Sequence, residues 1–342
     1  MKKKTLLSAL AIGAIATVAL TGCRGGGGGD AGAGGDDTSL EDAKPMTLVL
    51  GHAGAESDMR QTASLQFKEL VEKESDGKIT VEIHPASTLG TWEEMIEGLQ
   101  LGTVDLVIES LLSLETYTDL ASVETAPFLY DDYDQFSEVW DGDLGDEIKS
   151  AITDASGYEI LGNMYRGPRE LTTKTPVTNL PALQGLTIRT PSAATMLATW
   201  EALGARAEAL PFNEVYSALE SGVLDGQENP LDAIYFNSIH EVAPNITETS
   251  HMYANYHFLM WGAELAGMPK VYQEIIVDAA DEVGKTYTET TLENIDVYKA
   301  DLEAAGAVFH ELEDRQKWVD ATQKIIDGLP AQVQEWVEQI RG

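Results

Sequence analysis

The chain has 342 residues, room for roughly two domains of about 100–200 residues each, and at 43% apolar and 23% charged it has the composition of an ordinary globular protein. Its 57 acidic residues against 22 basic ones give a net charge of −35, which opposes a general role in holding nucleic acid phosphates or anionic lipid through a basic face. A single cysteine, Cys23, excludes an intramolecular disulfide framework and a cysteine-based zinc cluster, so packing must hold the fold.

At the N-terminus Lys2, Lys3 and Lys4 precede an apolar run from Leu6 to Leu20, the pattern of a secretory signal over residues 1–22. The run is shorter than the about 20 residues of a permanent membrane helix. Leu20-Thr21-Gly22-Cys23 resembles the bacterial lipobox, in which the cysteine is lipidated and becomes the mature N-terminus. The expected address is therefore extracytoplasmic, with Cys23 as the membrane anchor. Residues 23–44 are rich in Gly, Asp and Ala and are expected to be a disordered tether. The run Gly25–Gly29 contains GxGxxG spacings, but no strand precedes it and no helix follows, so it is no phosphate loop.

Ordered structure is expected from Met46, where Met46-Thr47-Leu48-Val49-Leu50 forms a short apolar strand. A helix follows and ends near Ser75-Asp76-Gly77, with Leu65, Leu70 and Val71, and Phe67 nearby, on its inner face. Residues 78–83 alternate as a second strand stopped by Pro85. Strand and helix alternate from there, which argues for α/β sheets with helices on their faces. From Pro269 onward the pattern is helical: Val271 to Val283, Thr286 to about Ala304, and Asp314 to Ile340 with a break near Gly328-Leu329-Pro330. Leu302, Ile325, Val333 and Trp336 are expected in the core.

One internal repeat stands out. Glu94 to Asp105 aligns without a gap on Glu214 to Asp225, with Glu, Leu, Gly and Asp coinciding and an aromatic residue, Trp92 or Phe212, ahead of each. Each copy is a helix-like stretch, a glycine at the position of a C′ residue and a short apolar step ending in Asp. Two similar α/β lobes would produce such a pair, and lobes meeting at a cleft are a common way to enclose small ligands.

Arginine is scarce, yet Arg166, Arg169 and Arg189 fall in one short region. Arg189 ends the apolar strand Leu186-Thr187-Ile188, and a strand end in an α/β lobe faces the crevice where ligands bind. The planar guanidinium matches a carboxylate at two points, so an anionic ligand is expected.

Gly185-Leu186-Thr187-Ile188-Arg189-Thr190-Pro191, the run Pro211 to Leu219 and Val223-Leu224-Asp225-Gly226-Gln227-Glu228-Asn229-Pro230 carry a family likeness. Over about residues 46–342 the chain resembles the DctP-like solute-binding subunits of tripartite ATP-independent periplasmic (TRAP) transporters. The resemblance implies a two-lobed periplasmic-binding-protein-like fold with a ligand cleft between lobes and long C-terminal helices. It implies lobe I at 45–166 and 255–294, and lobe II at 167–254 and 295–342. Arg189 would clamp the ligand carboxylate, with Arg169 a second contact, Asn229 a polar contact and Phe212 an aromatic wall. His52, Trp92, Glu109 and Ser110 fall at or beside ligand-facing positions, and the chain departs from sialic-acid-binding members near Trp92 and Ser110.

The implied function is capture of a small organic acid, a sugar acid such as a uronate or aldonate ahead of a C4-dicarboxylate, for delivery to an integral-membrane permease. No cofactor, metal or nucleic acid is called for, and no chemistry. The competing class is a secreted hydrolase or lyase acting on acidic sugars, and a third is a sensor presenting its ligand to a receptor kinase. The chain has no Gly-x-Ser-x-Gly elbow, and neither His240-Glu241 nor His310-Glu311 extends into His-Glu-x-x-His. Asp141-Gly142-Asp143 hints at a calcium loop, but Ile152 stands where its twelfth-position glutamate belongs.

Overall fold

The computed structural model describes residues 37–342; the expected signal sequence, Cys23 and most of the expected tether lie outside the described residues. Strands β1 (Met46–Gly51), β2 (Ile79–His84), β3 (Leu106–Glu109) and β4 (Tyr158–Pro168) begin a first sheet. Strands β5 (Glu170–Thr173), β6 (Thr187–Thr190), β7 (Arg206–Ala209), β8 (Gly226–Asn229) and β9 (Asn245–Glu248) build a second; β10 (Tyr253–Trp261) then returns to the first and β11 (Val308–Glu311) to the second. The orders are β2-β1-β3-β10-β4 and β11-β9-β5-β8-β6-β7. In each sheet the strands joined through helices run parallel, β1 with β2 and β3, β6 with β7 and β8, while β10 and β5 enter antiparallel.

Local sequence explains these elements. In β2 Ile79 and Val81 are buried while Thr80 and Glu82 face outward, a period of two. The helix Met59–Glu74 starts where the Asp58 side chain accepts from the Arg60 amide at 2.9 Å. Its buried stripe holds Ala63, Phe67 and Val71, and Phe67 stacks on Phe258 at 4.5 Å between ring centroids. Leu65 does not share that stripe. It is 52% exposed, because two residues before Phe67 is 200° of helix rotation and the opposite face.

The internal repeat is structural. Helices Trp92–Leu101 and Val215–Ser221 both end on a left-handed glycine, Gly102 at φ 66° and Gly222 at φ 82°, where a side chain would be strained. Asp105 then accepts from the Val49 amide at 2.6 Å, and Asp225 from the Thr187 amide at 2.8 Å. Each aspartate thus pins the start of one parallel strand to its neighbour.

The chain passes between the sheets at three places. Only Arg169 separates β4 from β5, residues 249–252 join β9 to β10, and the helix Lys270–Ala304 runs on from one sheet to the other. This is one continuous 35-residue helix, where the sequence reads as two stretches meeting near Gly284. Glycine there serves contact: a Cβ on Gly284 would sit 2.8 Å from the Asn163 carbonyl oxygen of β4. At its far end Lys299 pairs with Glu248 of β9 at 2.6 Å.

Three further expectations need correction. The tether ends sooner than residue 44: Ala43 is buried, its amide bonds to Ser39 at 2.9 Å, and the Lys44 carbonyl accepts from Tyr272. The final segment does not stay with the second lobe, since Ala331–Arg341 buries Val333, Trp336 and Val337 in the first lobe's core, and Trp336 Nε1 donates to Glu147 at 2.8 Å. Among the four expected core residues, Leu302, Val333 and Trp336 are buried, but Ile325 is half-buried and Ile326 takes the inner position.

Candidate functional site

Between the two sheets lies a cleft lined by side chains from both. The first sheet's side supplies Arg60, Trp92, Glu109, Arg166 and Tyr256; the second supplies Arg169, Arg189, Phe212 and Asn229. Trp92 and Phe212 occupy matching places in the internal repeat, so each lobe contributes one aromatic wall at the head of its repeated helix. Glu109 and Asn229 stand at the last residues of β3 and β8, and Arg189 lies one residue before the end of β6. These strand ends are where α/β sheets offer their crevice.

All four arginines are buried, with Arg189 at 2% and Arg169 at 1% exposure. Such groups need partners in a dry site. Arg60 forks onto Asp58, its Nε to Oδ1 at 3.0 Å and its Nη2 to Oδ2 at 2.8 Å. Arg169 does the same with Glu228, through Nε at 2.5 Å and Nη2 at 2.8 Å, and Nη2 also donates to the Glu228 carbonyl. Burial opposes the charge on Glu228, but Arg169 and a bond from His251 outweigh it and hold the carboxyl down at about 2.

The other two arginines have no carboxylate within ion-pair distance among the described residues. Arg166 Nη1 donates to Ser110 Oγ at 2.7 Å, and its guanidinium lies 3.7 Å from the centre of the Tyr256 ring, while its Nε has no partner. Arg189 Nε donates to the Leu210 carbonyl at 2.8 Å, with the guanidinium 5.7 Å from the Phe212 ring centre. Burial lowers Arg189 to about 10, which leaves it charged at neutral pH. A neutral oxygen and an aromatic face position each of these cations without cancelling its charge. The cleft is built to receive negative charge.

One acidic group nearby is tuned so as not to fill that role. Glu124 is buried with Oε1 unpartnered, accepts from the Leu112 amide at 2.8 Å, and is pushed up by burial to about 8, so it is mostly protonated at neutral pH. Glu109 lines the cleft, with Oε2 3.9 Å from Arg60 and Oε1 accepting from the Ser110 amide at 3.2 Å. A carboxylate facing the cleft is an acceptor for ligand hydroxyls.

Of the residues singled out in the sequence, Arg189, Arg169, Asn229, Phe212, Trp92 and Glu109 line one cleft. His52 does not. Its ring is buried, Nε2 pairs with Gln61 Oε1 at 2.9 Å, burial depresses it to about 4, and the neighbouring Ala53 reaches the cleft instead. Ser110 is also fully buried and stands behind Arg166, which it orients. Sequence reading missed Arg60 and Tyr256 and left Arg166 out of the site. The scarcity of arginine that drew attention to residues 166–189 was also a signal for Arg60. Nothing local to Tyr256 marks it, since it reaches the cleft from a strand distant in sequence.

Residues 50–332 match the family model described as bacterial extracellular solute-binding protein, family 7 (DctP). A solute-binding protein of Roseobacter denitrificans is 30% identical over 298 residues, covering 87% of this chain and 91% of its own. The 2,3-diketo-L-gulonate-binding periplasmic protein YiaO of Escherichia coli is 28% identical over 281 residues, 81% of this chain and 84% of its own. A crystal structure of a TRAP periplasmic solute-binding protein from Roseobacter denitrificans with bound L-galactonate matches at TM-score 0.83 and 29% identity, covering 88% of this chain and 100% of that one. A buried, cation-rich cleft between two α/β lobes and a match across most of the chain lead to one assignment: this protein belongs to family 7 of the bacterial extracellular solute-binding proteins, the DctP family of TRAP solute-binding proteins.

Proposed function

We propose that the cleft captures a small monocarboxylic sugar acid, of the aldonate or uronate class, and that the protein hands it unchanged to the membrane subunits of a TRAP transporter. The observation that carries this reading is Arg189, a buried guanidinium facing the cleft with no carboxylate partner among the described residues. It would take the ligand carboxylate, with Asn229 and the free edge of Arg169 beside it. On the opposite wall Glu109 would accept from ligand hydroxyls and Trp92 would cover the apolar face of the carbon chain. A carboxylate at Glu109 would repel a second ligand carboxylate, which favours a polyhydroxy monoacid over a C4-dicarboxylate. The relative from Roseobacter denitrificans with bound L-galactonate supports the same class.

Because the cleft is lined from both lobes, a ligand contacting both walls favours the closed arrangement over an open one, which is the energetic basis of capture. Cys23, lipidated after removal of residues 1–22, would hold the protein at the outer face of the membrane, and mass spectrometry of the mature N-terminus tests that. The ligand is tested by thermal unfolding with galactonate, glucuronate and succinate. A sugar acid at 100 times its Kd is expected to add about 2.7 kcal/mol without any product appearing. Stabilisation by succinate alone would replace the sugar acid by a dicarboxylate, and turnover would replace the binding protein by an enzyme.

A further inference from the structure

Beyond the cleft, one place where the two lobes meet is the short segment Ser192 to Thr195, where the helix Ala194–Leu203 begins. Ser192 Oγ donates to Glu93 Oε1 at 2.7 Å, and the Thr195 amide donates to Glu115 Oε2 at 3.3 Å. Glu93 and Glu115 both belong to the first lobe, the segment to the second. The other oxygen of Glu115 accepts from Thr125 Oγ1, which fixes the carboxylate from its own side.

The helix needs this acceptor. Its N-cap residue is Ala193, with no side chain to bond the free amides of the first turn, whereas the matching first-lobe helix Trp92–Leu101 has a complete capping box from Thr91 and Glu94. Burial raises the Glu115 carboxyl, and the donors at Thr125, Ala194 and Thr195 work against that rise. Beneath the contact, Leu112 of the first lobe packs in a small apolar cluster with Ala193 and Met196 of the second.

We propose that Glu115 is an interlobe latch: it caps the helix Ala194–Leu203 from the opposite lobe, so that closing the cleft completes the helix and opening it leaves the first turn uncapped. The capped segment continues directly from Arg189-Thr190-Pro191, of which Arg189 and Pro191 line the cleft. Ligand carboxylate and latch therefore act on the same stretch of chain, and Glu115 is a positioning residue for capture. This rests on the reading of the cleft as a closing ligand trap.

The test is a double-mutant cycle on galactonate affinity, measured by calorimetry. Glu115→Ala is expected to weaken binding about fivefold, the usual worth of one cap, and Glu115→Gln, which keeps an oxygen acceptor, to retain most of the affinity. Ala193→Ser supplies a cap within the second lobe in open and closed forms alike. It should weaken binding while raising the thermal midpoint of the ligand-free protein, and in its presence Glu115→Ala should cost little more. An equal loss from Glu115→Ala in both backgrounds would overturn the latch. Should galactonate bind no variant, the sugar-acid reading fails by itself, and hydrogen exchange of the ligand-free full chain judges the latch. Slower exchange at the Thr195 amide in Ala193→Ser, with no further change when Glu115→Ala is added, supports it, and unchanged exchange in Ala193→Ser overturns it.

Discussion

The two walls of the cleft are built to one plan. Each carries one arginine forked onto a carboxylate, Arg60 on Asp58 and Arg169 on Glu228, and one held by a neutral oxygen and an aromatic ring, Arg166 by Ser110 and Tyr256, Arg189 by Leu210 and Phe212. The walls differ in what lies next to the pair. On the first wall Glu109 approaches Arg60 at 3.9 Å and faces the cleft, and the second wall has no counterpart among its lining residues. The forked pairs set geometry and carry no spare charge, while the unpaired cations leave positive charge in the cleft, most strongly where no carboxylate competes.

This comparison can be broken at several points. The largest expected effect is on stability: Glu228→Ala and Asp58→Ala each strand a buried guanidinium, which should cost about 3–5 kcal/mol in urea unfolding, and a negligible loss at one of them would end the equivalence of the walls. Arg189→Ala should weaken galactonate binding by two or more powers of ten in calorimetry, because a closed, charge-assisted contact is lost. Arg166→Ala should cost less, about tenfold, since the first wall already holds Glu109; a reversed order would move the carboxylate to the first wall.

A smaller effect concerns pH. Glu124 holds its proton up to about 8 when folded, against an ordinary 4.5. Its contribution to stability is full below about 4.5 and is lost as pH rises through about 8, because the folded chain keeps a proton that the unfolded chain has released. Glu124→Gln lacks this titration, so its thermal midpoint should gain on the unaltered protein between pH 5 and pH 9, and parallel curves would show that Glu124 is not buried neutral. Smallest of all, Asp105→Asn and Asp225→Asn should each cost about 1 kcal/mol, as matched pins of the two lobes.

Much of this was legible in the chain. The strand ending at Arg189, the repeated helix, glycine and aspartate units and the run through Asn229 are local patterns, and local patterns survive folding. His52 and Ser110 show the limit. A side chain on extended backbone turns to the other face with a shift of one residue, so sequence located the neighbourhood while Ala53 and Glu109 took the cleft-facing positions. Arg60 and Tyr256 are brought together with Arg166 only by tertiary packing, and no spacing along the chain encodes that. The final helix misled for a related reason, since an amphipathic face states that it must be covered and not by which lobe.

The long helix Lys270–Ala304 has one more consequence. It is fastened to β4 at Gly284 and to β9 through Lys299, 15 residues apart, which for a helix is about 22 Å. Two jaws bolted to one rod can change their angle but not the spacing of the bolts. Whatever solute enters, the gape of this molecule is limited to rotation about a spine of constant length, and reporter dyes placed across the mouth will sense ligand where dyes along the spine stay silent.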